Sequence, residues 1–373
     1  MASENILEVR NLSVDYASDT GTVHAVDNVS FVVKRGEIFG LAGESGSGKS
    51  TLAFALARLL KFPAKITKGE IVFNFQADRQ TPQEEEMFGD SVDVLELLPE
   101  ELRQFRWSKL SIVFQSAMNA LNPVLTIETQ VTDVIKAHDP SLDARQRRER
   151  AVELIRMVGI SADRLKSYPH QLSGGMRQRA IIAIALALNP DLIIMDEPTT
   201  ALDVVVQREI LNEIKALQEK FGFSVIFITH DLSLLLEIST HVAIMYAGRL
   251  VELADQEGLI LHPYHPYSYG LIHSFPELQG EKKHMLGIPG HPPDLRGLPT
   301  GCSFAPRCAF AFDACHQVMP ALRAPGDAGP AHVVACHLYD PAHNPNRPPT
   351  SVDPALAAET PRGQLASSRG GAQ

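Results

Sequence analysis

Residues 43–51 have the sequence Gly43-Glu44-Ser45-Gly46-Ser47-Gly48-Lys49-Ser50-Thr51, and this stretch decides the fold. It fits the pattern G-x-x-x-x-G-K-[ST], a glycine-rich loop that surrounds phosphate groups. Residues 38–42 are apolar and predict a buried strand, and residues 52–60 have leucine and alanine at helical spacing. In such a loop the backbone N–H groups and the helix N-terminus face phosphate oxygens. Lys49 is expected to reach the β- and γ-phosphates, and the Ser50 hydroxyl to hold Mg²⁺.

Composition limits the class of protein. The 373 residues are 45% hydrophobic and 21% charged, which is enough for one large core and a smaller second unit. A net charge of −10 disfavours a nucleic-acid surface. The longest apolar run, 180–188, is far shorter than the ~20 residues that span a bilayer. The N-terminus has no basic segment followed by an apolar one, so the chain is expected to stay in the cytoplasm.

A second candidate site lies at the end of an apolar run. Residues 192–195 predict a buried strand that ends in Asp196 and Glu197. Asp196 fits the acid that holds Mg²⁺ in phosphate-loop proteins. Glu197 is placed to activate an attacking water as a general base. Two surface acids at a strand end are the alternative, which the apolar run and the upstream phosphate loop disfavour.

Three further residues follow predicted strands. Tyr16 ends an alternating strand at residues 6–16, where an aromatic ring can stack on a purine. Gln115 follows a short strand at 111–114 and can hydrogen-bond a metal-bound water, and His230 follows a buried strand at 225–229. Taken alone, each is better explained as an ordinary residue: a strand-end tyrosine, a loop glutamine and a structural histidine. Residues 76–93 are acidic with few apolar positions, and we expect a solvated loop there.

A helical segment interrupts the strand-rich pattern from residue 119 to residue 169. It leads into Leu172-Ser173-Gly174-Gly175-Met176, in which Ser173 is a plausible helix cap. The helix is expected to continue to Leu188.

With the phosphate loop and this LSGG stretch both in view, the sequence resembles an ABC-transporter nucleotide-binding subunit. LSGG is the family signature, and six elements occur in the family's order over about residues 6–255. These elements are Tyr16, the loop 43–51, Gln115, the signature 172–176, Asp196-Glu197 with Asp203, and His230.

The C-terminal part extends the resemblance to about residue 340. His262-Pro263-Tyr264-His265-Pro266-Tyr267, a Pro-rich stretch at 288–295 and Gly301-Cys302-Ser303-Phe304 are similar to the extension of dipeptide/oligopeptide importer ATPases. Met176, in place of the commoner Gln, is similar to the D-type member of their paired ATPase subunits. An acidic insertion near 81–90 departs from the family pattern.

The resemblance implies a mechanism and a set of partners. Gly43–Thr51, Tyr16, Gln115, Asp196, Glu197 and His230 would bind and hydrolyse ATP with Mg²⁺. Ser173, Gly174 and Gly175 would contact the ATP held by the opposite subunit, and Asp203 would help to align the two subunits. The implied partners are a second, F-type ATPase subunit, two permeases and a solute-binding protein, with this chain peripheral at the cytoplasmic face of the membrane.

Several alternatives stay open. Nickel, glutathione or oligosaccharides are cargoes of close relatives of peptide importers. A soluble ABC ATPase of DNA repair or translation is a rival class, although such proteins have two cassettes in one chain or a long coiled-coil insertion, and this sequence shows neither. A non-transporting regulatory ATPase is another.

The four cysteines, Cys302, Cys308, Cys315 and Cys336, lie within 35 residues in the spacing C-x₅-C-x₆-C-x₂₀-C. In a reducing compartment such a cluster indicates a metal site more than a disulfide framework. Structural zinc usually shows tighter cysteine pairs, so the spacing favours a [4Fe–4S] cluster, and the resemblance favours it too, since some of these ATPases carry one. Zinc and four unligated thiols remain the alternatives.

The predicted architecture is α/β: an ABC-type phosphate-loop core with a mixed sheet and an antiparallel β subdomain, plus a helical subdomain and a small cysteine-containing extension. The expected units are a nucleotide-binding domain at 1–258, with its helical subdomain at about 116–188, and the extension at 259–340. Residues 341–373, rich in Pro, Ala, Ser and Gly, are expected to form a disordered tail.

Overall fold

Two β-sheets and the helices around them make up the computed structural model of the chain. The described residues are 3–115, 120–200, 202–274, 288–326, 329, 331–345 and 352.

The first sheet is antiparallel and has the strand order β2-β1-β4-β5. Its long strands alternate buried and exposed positions, as expected of a sheet with one face on a core. The strands are β1 Asn5–Ser18, β2 Gly21–Lys34, β4 Ala64–Asn74 and β5 Ser91–Asp93.

The second sheet is mixed and has the order β11-β10-β9-β3-β8-β7-β6. The five strands β9, β3, β8, β7 and β6 are parallel to one another. At the other edge, β10 pairs antiparallel with both β9 and β11. The central strands β3, β7 and β8 are buried along their whole length and mostly apolar, which is typical of parallel strands covered on both faces. The strands are β3 Ile38–Ala42, β6 Leu110–Val113, β7 Leu192–Asp196, β8 Ser224–Ile228, β9 His241–Tyr246, β10 Arg249–Asp255 and β11 Val333–Val334.

The helices connect these strands and form most of the segment between β6 and β7. Their bounds are α1 Lys49–Leu56, α2 Pro82–Phe88, α3 Pro99–Ser108, α4 Ile127–His138, α5 Ala144–Met157, α6 Gly174–Ala185, α7 Val204–Phe221, α8 Leu232–Ile238, α9 Gln256–Leu261, α10 Pro266–Ile272 and α11 Asp313–Gln317. Within the described residues, none of them is long and apolar enough to cross a membrane.

Each face of the mixed sheet borders its own apolar core. Ile194 and Ile226 pack with the antiparallel sheet and α1. Their neighbours in sequence, Ile193 and Phe227, point the other way and pack with the helices that follow β6. The two-residue alternation of the strands thus places the mixed sheet in the middle of three layers.

The expectation of a solvated loop at 76–93 is wrong. This segment contains α2 and β5, and β5 pairs with β4. Thr81 and Glu84 form a capping box at the start of α2. Phe88 is buried and stacks on Phe75, with ring centroids 5.3 Å apart. One buried aromatic residue and one helix cap therefore order a stretch in which six residues are acidic.

The C-terminal extension packs against the mixed sheet. Strand β11 adds to the sheet at β10, and Tyr267, Phe304 and Tyr246 form an aromatic contact between the extension and β9. Residues 341–345 continue from the extension as a turn. The rest of the predicted tail lies outside the described residues, except Val352, which is buried and donates its N–H to the Pro263 carbonyl.

Candidate functional site

The candidate site lies where the parallel strands end. β3 leads into the phosphate loop, β7 ends at Asp196, and Gln115 and His230 lie just beyond β6 and β8. The carboxyl ends of parallel strands meet at one sheet edge, where open α/β sheets bind their ligands. The order β3-β8-β7-β6 therefore gathers residues that are up to 187 positions apart, from 43 to 230.

Two glycines give the phosphate loop its shape. Gly43 and Gly48 have φ values of 148° and 103°, which side-chain-bearing residues rarely adopt. A Cβ at Gly48 would collide with the Ala25 carbonyl oxygen, and one at Gly43 with the Met245 carbonyl oxygen. The loop is thus packed directly against the backbone of β2 and β9, and Ser45 and Gly46 stay exposed at its tip.

Lys49 is buried inside the loop. Its ammonium donates to the carbonyl oxygens of Gly43 and Glu44 at 2.8 and 2.9 Å, and to Ser47 Oγ at 3.4 Å. Burial lowers the pKa of Lys49, and the nearby carboxylates of Glu197, Asp196 and Glu44 oppose this. Carbonyl oxygens therefore hold this cation in place before any phosphate is bound.

Asp196 has the environment of a metal ligand. It is 1% exposed, and in the part of the chain that the structure describes neither carboxylate oxygen has a hydrogen-bond partner of acceptable geometry. Burial raises its pKa, while the neighbouring Ser50 hydroxyl is close enough to lower it in part. Buried, unsatisfied carboxylate oxygens are costly unless a cation pairs with them. The pair Asp196 and Ser50 therefore fits Mg²⁺, a cation that prefers oxygen ligands.

Glu197 is surrounded by donors. Its Oε2 accepts from Gln115 Nε2 at 3.0 Å and from Thr200 Oγ1 at 2.9 Å, and its Oε1 lies 3.1 Å from His230 Nδ1. Burial raises the pKa of Glu197, but the bonds from His230 and Thr200 outweigh it, so the net shift is downward. The residue has φ 46°, a left-handed conformation that is uncommon outside glycine and aims this carboxylate away from the strand.

The predicted signature residues lie apart from this cluster. Ser173 caps α6, its Oγ accepting from Met176 N at 3.3 Å, and it is exposed. Asp203 caps α7, accepting from Val206 N at 3.0 Å. A Cβ on Gly175 would press on Val206, so the starts of α6 and α7 adjoin. Among the described residues, no hydrogen bond joins Ser173, Gly174 or Gly175 to the phosphate loop.

Tyr16 lies beside the loop. Its hydroxyl is 3.1 Å from Thr51 Oγ1, and the ring is half-buried at the end of β1. The aromatic residue predicted for base stacking is thus next to Thr51, the last residue of the phosphate loop.

Sequence reasoning missed a contact between the extension and the phosphate loop. Arg307 is buried and forms a bidentate ion pair with Glu44, with Nη1–Oε2 2.7 Å and Nη2–Oε1 2.9 Å. The Glu44 N–H donates to the Tyr267 hydroxyl at 2.8 Å. Arg307 also donates to the Pro289 carbonyl at 2.7 Å and to the Tyr246 hydroxyl at 3.2 Å. No local pattern pairs residues 263 positions apart, so nothing in the sequence pointed to this contact.

All four cysteines line one cavity in the extension, with His265, Phe304, Phe310 and His337 among the other lining residues. No disulfide joins them. Burial raises the pKa of Cys336 well above its usual value, and the other three cysteines add to the rise. The fold therefore gathers four thiols that are spread over 35 residues of sequence.

The phosphate loop, a buried acid suited to a metal ion and a glutamate surrounded by donors together define a phosphate-loop nucleotide hydrolase. The family model described as ABC transporter matches residues 26–200. The model described as the C-terminal region of oligopeptide/dipeptide transporters matches residues 251–315.

Relatives resemble the chain over most of its length. The dipeptide transport ATP-binding protein DppD of Bacillus subtilis (strain 168) is 40% identical over 340 residues, covering 90% of this chain and 96% of that protein. The oligopeptide transport ATP-binding protein AppD of the same organism is 40% identical, covering 90% and 97%. The chain belongs to the family of ABC transporter ATP-binding subunits, in the group with the oligopeptide/dipeptide transporter C-terminal region. The alternative of an ATPase of DNA repair or translation gains no support from these relatives.

Solved structures agree on the cassette. The dimeric post-hydrolysis state of the ATP-binding cassette MJ0796, bound to ADP and Pi, is 29% identical with a TM-score of 0.56, covering 67% of this chain and 98% of that one. CbiO1 from Clostridium perfringens, part of the complex cbiONQ, is 28% identical with a TM-score of 0.56, covering 69% and 91%.

Proposed function

We propose that this chain hydrolyses ATP to power the import of dipeptides or oligopeptides. One observation carries the hydrolytic part: the Glu197 carboxylate is held by Gln115, Thr200 and His230 directly beside the unsatisfied carboxylate of Asp196. A base kept ionised next to a metal ligand, at the edge where the phosphate loop lies, is the arrangement that activates water for attack on a γ-phosphate.

Each residue has a part in this reaction. The loop 43–51 and the N-terminus of α1 bind the phosphates of ATP, and Lys49 exchanges its carbonyl partners for the β- and γ-phosphates. Ser50, Gln115 and Asp196 would hold Mg²⁺, which would supply positive charge against the charge that develops on the phosphates. Glu197 accepts the proton of the attacking water, and His230 orients that carboxylate and contacts the γ-phosphate. Tyr16 stacks on the adenine ring.

A second ATP-binding chain completes the site. Among the described residues, Ser173, Gly174 and Gly175 make no hydrogen bond to this chain's own phosphate loop, and Ser173 is exposed at the N-terminus of α6. Such a helix end suits the γ-phosphate of ATP held by a facing subunit, and Asp203 lies at the adjoining start of α7. The MJ0796 cassette is dimeric in its solved structure. We infer a heterodimer with a companion ATPase subunit, the F-type partner of this D-type chain.

The cargo and the membrane partners follow from the relatives. DppD and AppD of Bacillus subtilis are named for dipeptide and oligopeptide transport. This chain would act with two permeases and a solute-binding protein, as a peripheral subunit at the cytoplasmic face of the membrane. Import of nickel, glutathione or oligosaccharides by the same ATPase mechanism is the alternative cargo assignment.

The proposed units are 1–258, with the helical subdomain at about 116–188, then 259–340, with a tail at 341–373.

The substitution Glu197→Gln tests the hydrolytic role. It removes the base but keeps the shape of the side chain, so ATP binding should persist while turnover falls about 10²–10⁴-fold. The measurements are phosphate release by the assembled ATPase and the amount of nucleotide retained after rapid washing. Glu149→Gln, which removes an exposed acid of α5 that pairs with Arg145, is the control and should keep wild-type turnover. Wild-type turnover by the Glu197 variant would refute the assignment.

The cysteine cavity is the proposed site of a [4Fe–4S] cluster. Four thiolates from Cys302, Cys308, Cys315 and Cys336 are its usual ligand set. In the described residues, the only set of His, Cys, Asp or Glu ligand atoms gathered within 4.8 Å excludes all four cysteines. A single zinc ion with sulfurs at about 2.3 Å would need them that close. The wider arrangement favours a cluster over zinc, and its role would be structural, because the ATP site uses none of these residues.

The cluster is tested on protein purified without oxygen. We expect brown protein with about four irons per chain, and loss of the iron in Cys315→Ser. Colourless protein that holds one zinc at the cysteines would show that the cavity binds zinc and not a cluster. Colourless, metal-free and fully active protein would show that the cavity holds no metal.

A further inference from the structure

A second set of potential metal ligands lies at the end of the described extension. His337, Asp340 and His343 each offer one ligand atom, and these atoms all lie within 4.8 Å of one another. His337 is 2% exposed and Asp340 is 5% exposed. Neither the ATP site nor the cysteine cluster requires these three side chains as ligands, although His337 also borders the cysteine cavity.

The hydrogen bonding of His337 determines which nitrogen is free. Its Nε2 lies 2.8 Å from the Val318 carbonyl oxygen. A carbonyl only accepts, so Nε2 carries the hydrogen. The other nitrogen, Nδ1, is buried and has no hydrogen-bond partner among the described residues. A histidine whose one nitrogen donates to a backbone carbonyl while the other is free has the arrangement of a metal ligand.

Asp340 turns one oxygen towards this nitrogen. Its Oδ1 accepts from Arg323 Nη1 at 2.8 Å and from the Ala342 N–H at 3.0 Å. Its Oδ2 lies 3.9 Å from His337 Nδ1, too far for a hydrogen bond, and 3.0 Å from His343 Nδ1. A buried lone pair and a carboxylate oxygen that face each other without a shared proton are stabilised by a cation between them.

We propose that His337, Asp340 and His343 bind one Zn²⁺ ion. Two imidazoles and one carboxylate are a usual zinc ligand set, and three protein ligands leave a fourth position for water. The side chain of His343 is 31% exposed, which gives water and the ion a path to the site. Zinc here joins the short 3₁₀ turn His337–Tyr339 to the chain that follows it, and so steadies the segment that begins at Cys336. Small units with little core commonly use a metal in this way.

The test uses the full-length chain purified without oxygen, treated with a mild chelator and titrated with Zn²⁺ alone by calorimetry. Wild-type protein should bind one zinc ion at this site. In the His343→Ala variant the affinity for that zinc should be at least about 100-fold lower. Iron content should be equal in the two proteins, which separates this site from the cysteine cavity. The matched control is His24→Ala, since His24 pairs with Asp15 at 2.8 Å but belongs to no three-residue set among the described residues.

Equal zinc affinity in wild type and His343→Ala would overturn the proposal, as would wild-type protein that binds no zinc. If His343→Ala does not fold, Co²⁺ bound to the wild type decides instead. A cobalt spectrum of nitrogen and oxygen ligands would support the site, whereas a thiolate-to-cobalt charge-transfer band alone would place the metal at the cysteines.

Discussion

Asp196 and Glu197 are neighbours in sequence with opposite environments. Asp196 is 1% exposed, none of the described residues makes a well-formed hydrogen bond to its carboxylate, and burial raises its pKa. Burial acts to raise the pKa of Glu197 too, but hydrogen bonds from His230 and Thr200 outweigh it and lower the pKa. A carboxylate without donors is suited to a cation, and one that donors keep ionised is suited to accept a proton. The two roles therefore follow from the surroundings of the residues rather than from their type.

The substitution Asp196→Asn should separate stability from activity. Removing an unpaired buried charge should stabilise the nucleotide-free chain, by on the order of 1 kcal/mol. The same change removes the negative charge and replaces one of the two oxygens proposed to hold Mg²⁺ with an amide NH₂, so hydrolysis of Mg-ATP should collapse. Thermal unfolding without nucleotide and phosphate release with Mg-ATP are the two measurements. A variant that is both less stable and active would contradict this account of Asp196.

At the scale of elements, the extension positions the phosphate loop. Arg307, one residue before Cys308, pairs with both oxygens of Glu44, and Tyr267 accepts the Glu44 N–H. Glu44 thus has its side chain and its backbone held by the extension. Arg307 is a positioning residue, because it acts on the nucleotide only through the loop.

Arg307→Ala should weaken ATP binding about tenfold, a change of ~1.4 kcal/mol, because the loop loses its bidentate partner. The effect should fall on KM for ATP more than on kcat, since Asp196 and Glu197 are untouched. Arg296→Ala is the matched control: Arg296 is an exposed arginine of the same extension that pairs with Asp294. Equal KM values for the two variants would show that the contact has no bearing on nucleotide binding.

A hydrogen bond between Glu37, the residue before β3, and His241, the first residue of β9, joins the starts of these two strands. His241 Nδ1 lies 2.9 Å from Glu37 Oε2, and this hydrogen bond raises the pKa of His241 above 6.5. A raised folded-state pKa means that the pair stabilises the fold below about pH 6.5, and that this stabilisation is lost as pH rises through the folded pKa.

His241→Gln should therefore cost more stability at pH 6 than at pH 8. Urea unfolding of both proteins at the two pH values measures the difference. A destabilisation that is the same at both, or that is greater at pH 8, would contradict the assignment of charge to this pair.

At the scale of the molecule, the sequence predicted the residues that parallel strands bring together. Gln115, Glu197 and His230 each follow an apolar strand, so a common sheet edge was expected. The sequence did not predict Thr200 as a further donor to Glu197. It also did not predict Arg307 as the partner of Glu44, because long-range side-chain pairing leaves no periodic pattern. The acidic stretch at 76–93 was misjudged because its charges obscured a cap and one buried phenylalanine.

The residues with proposed roles in ATP hydrolysis and subunit contact lie on two parts of the molecular surface. The sheet edge carries the residues proposed for hydrolysis, while Ser173 and Asp203, proposed to face a second subunit, lie at the adjoining starts of α6 and α7. The extension contacts the phosphate loop through Arg307 and holds the four cysteines. ATP binding, subunit pairing and the extension are therefore parts of one connected structure.

Peptide uptake tests the central claim most directly. The assay uses vesicles reconstituted with this chain, its companion ATPase subunit, the two permeases and the solute-binding protein, supplied with a labelled dipeptide. We predict uptake that requires ATP, requires this chain and collapses with Glu197→Gln. Uptake that continues at the wild-type rate without this chain, or with that variant in its place, would contradict the account.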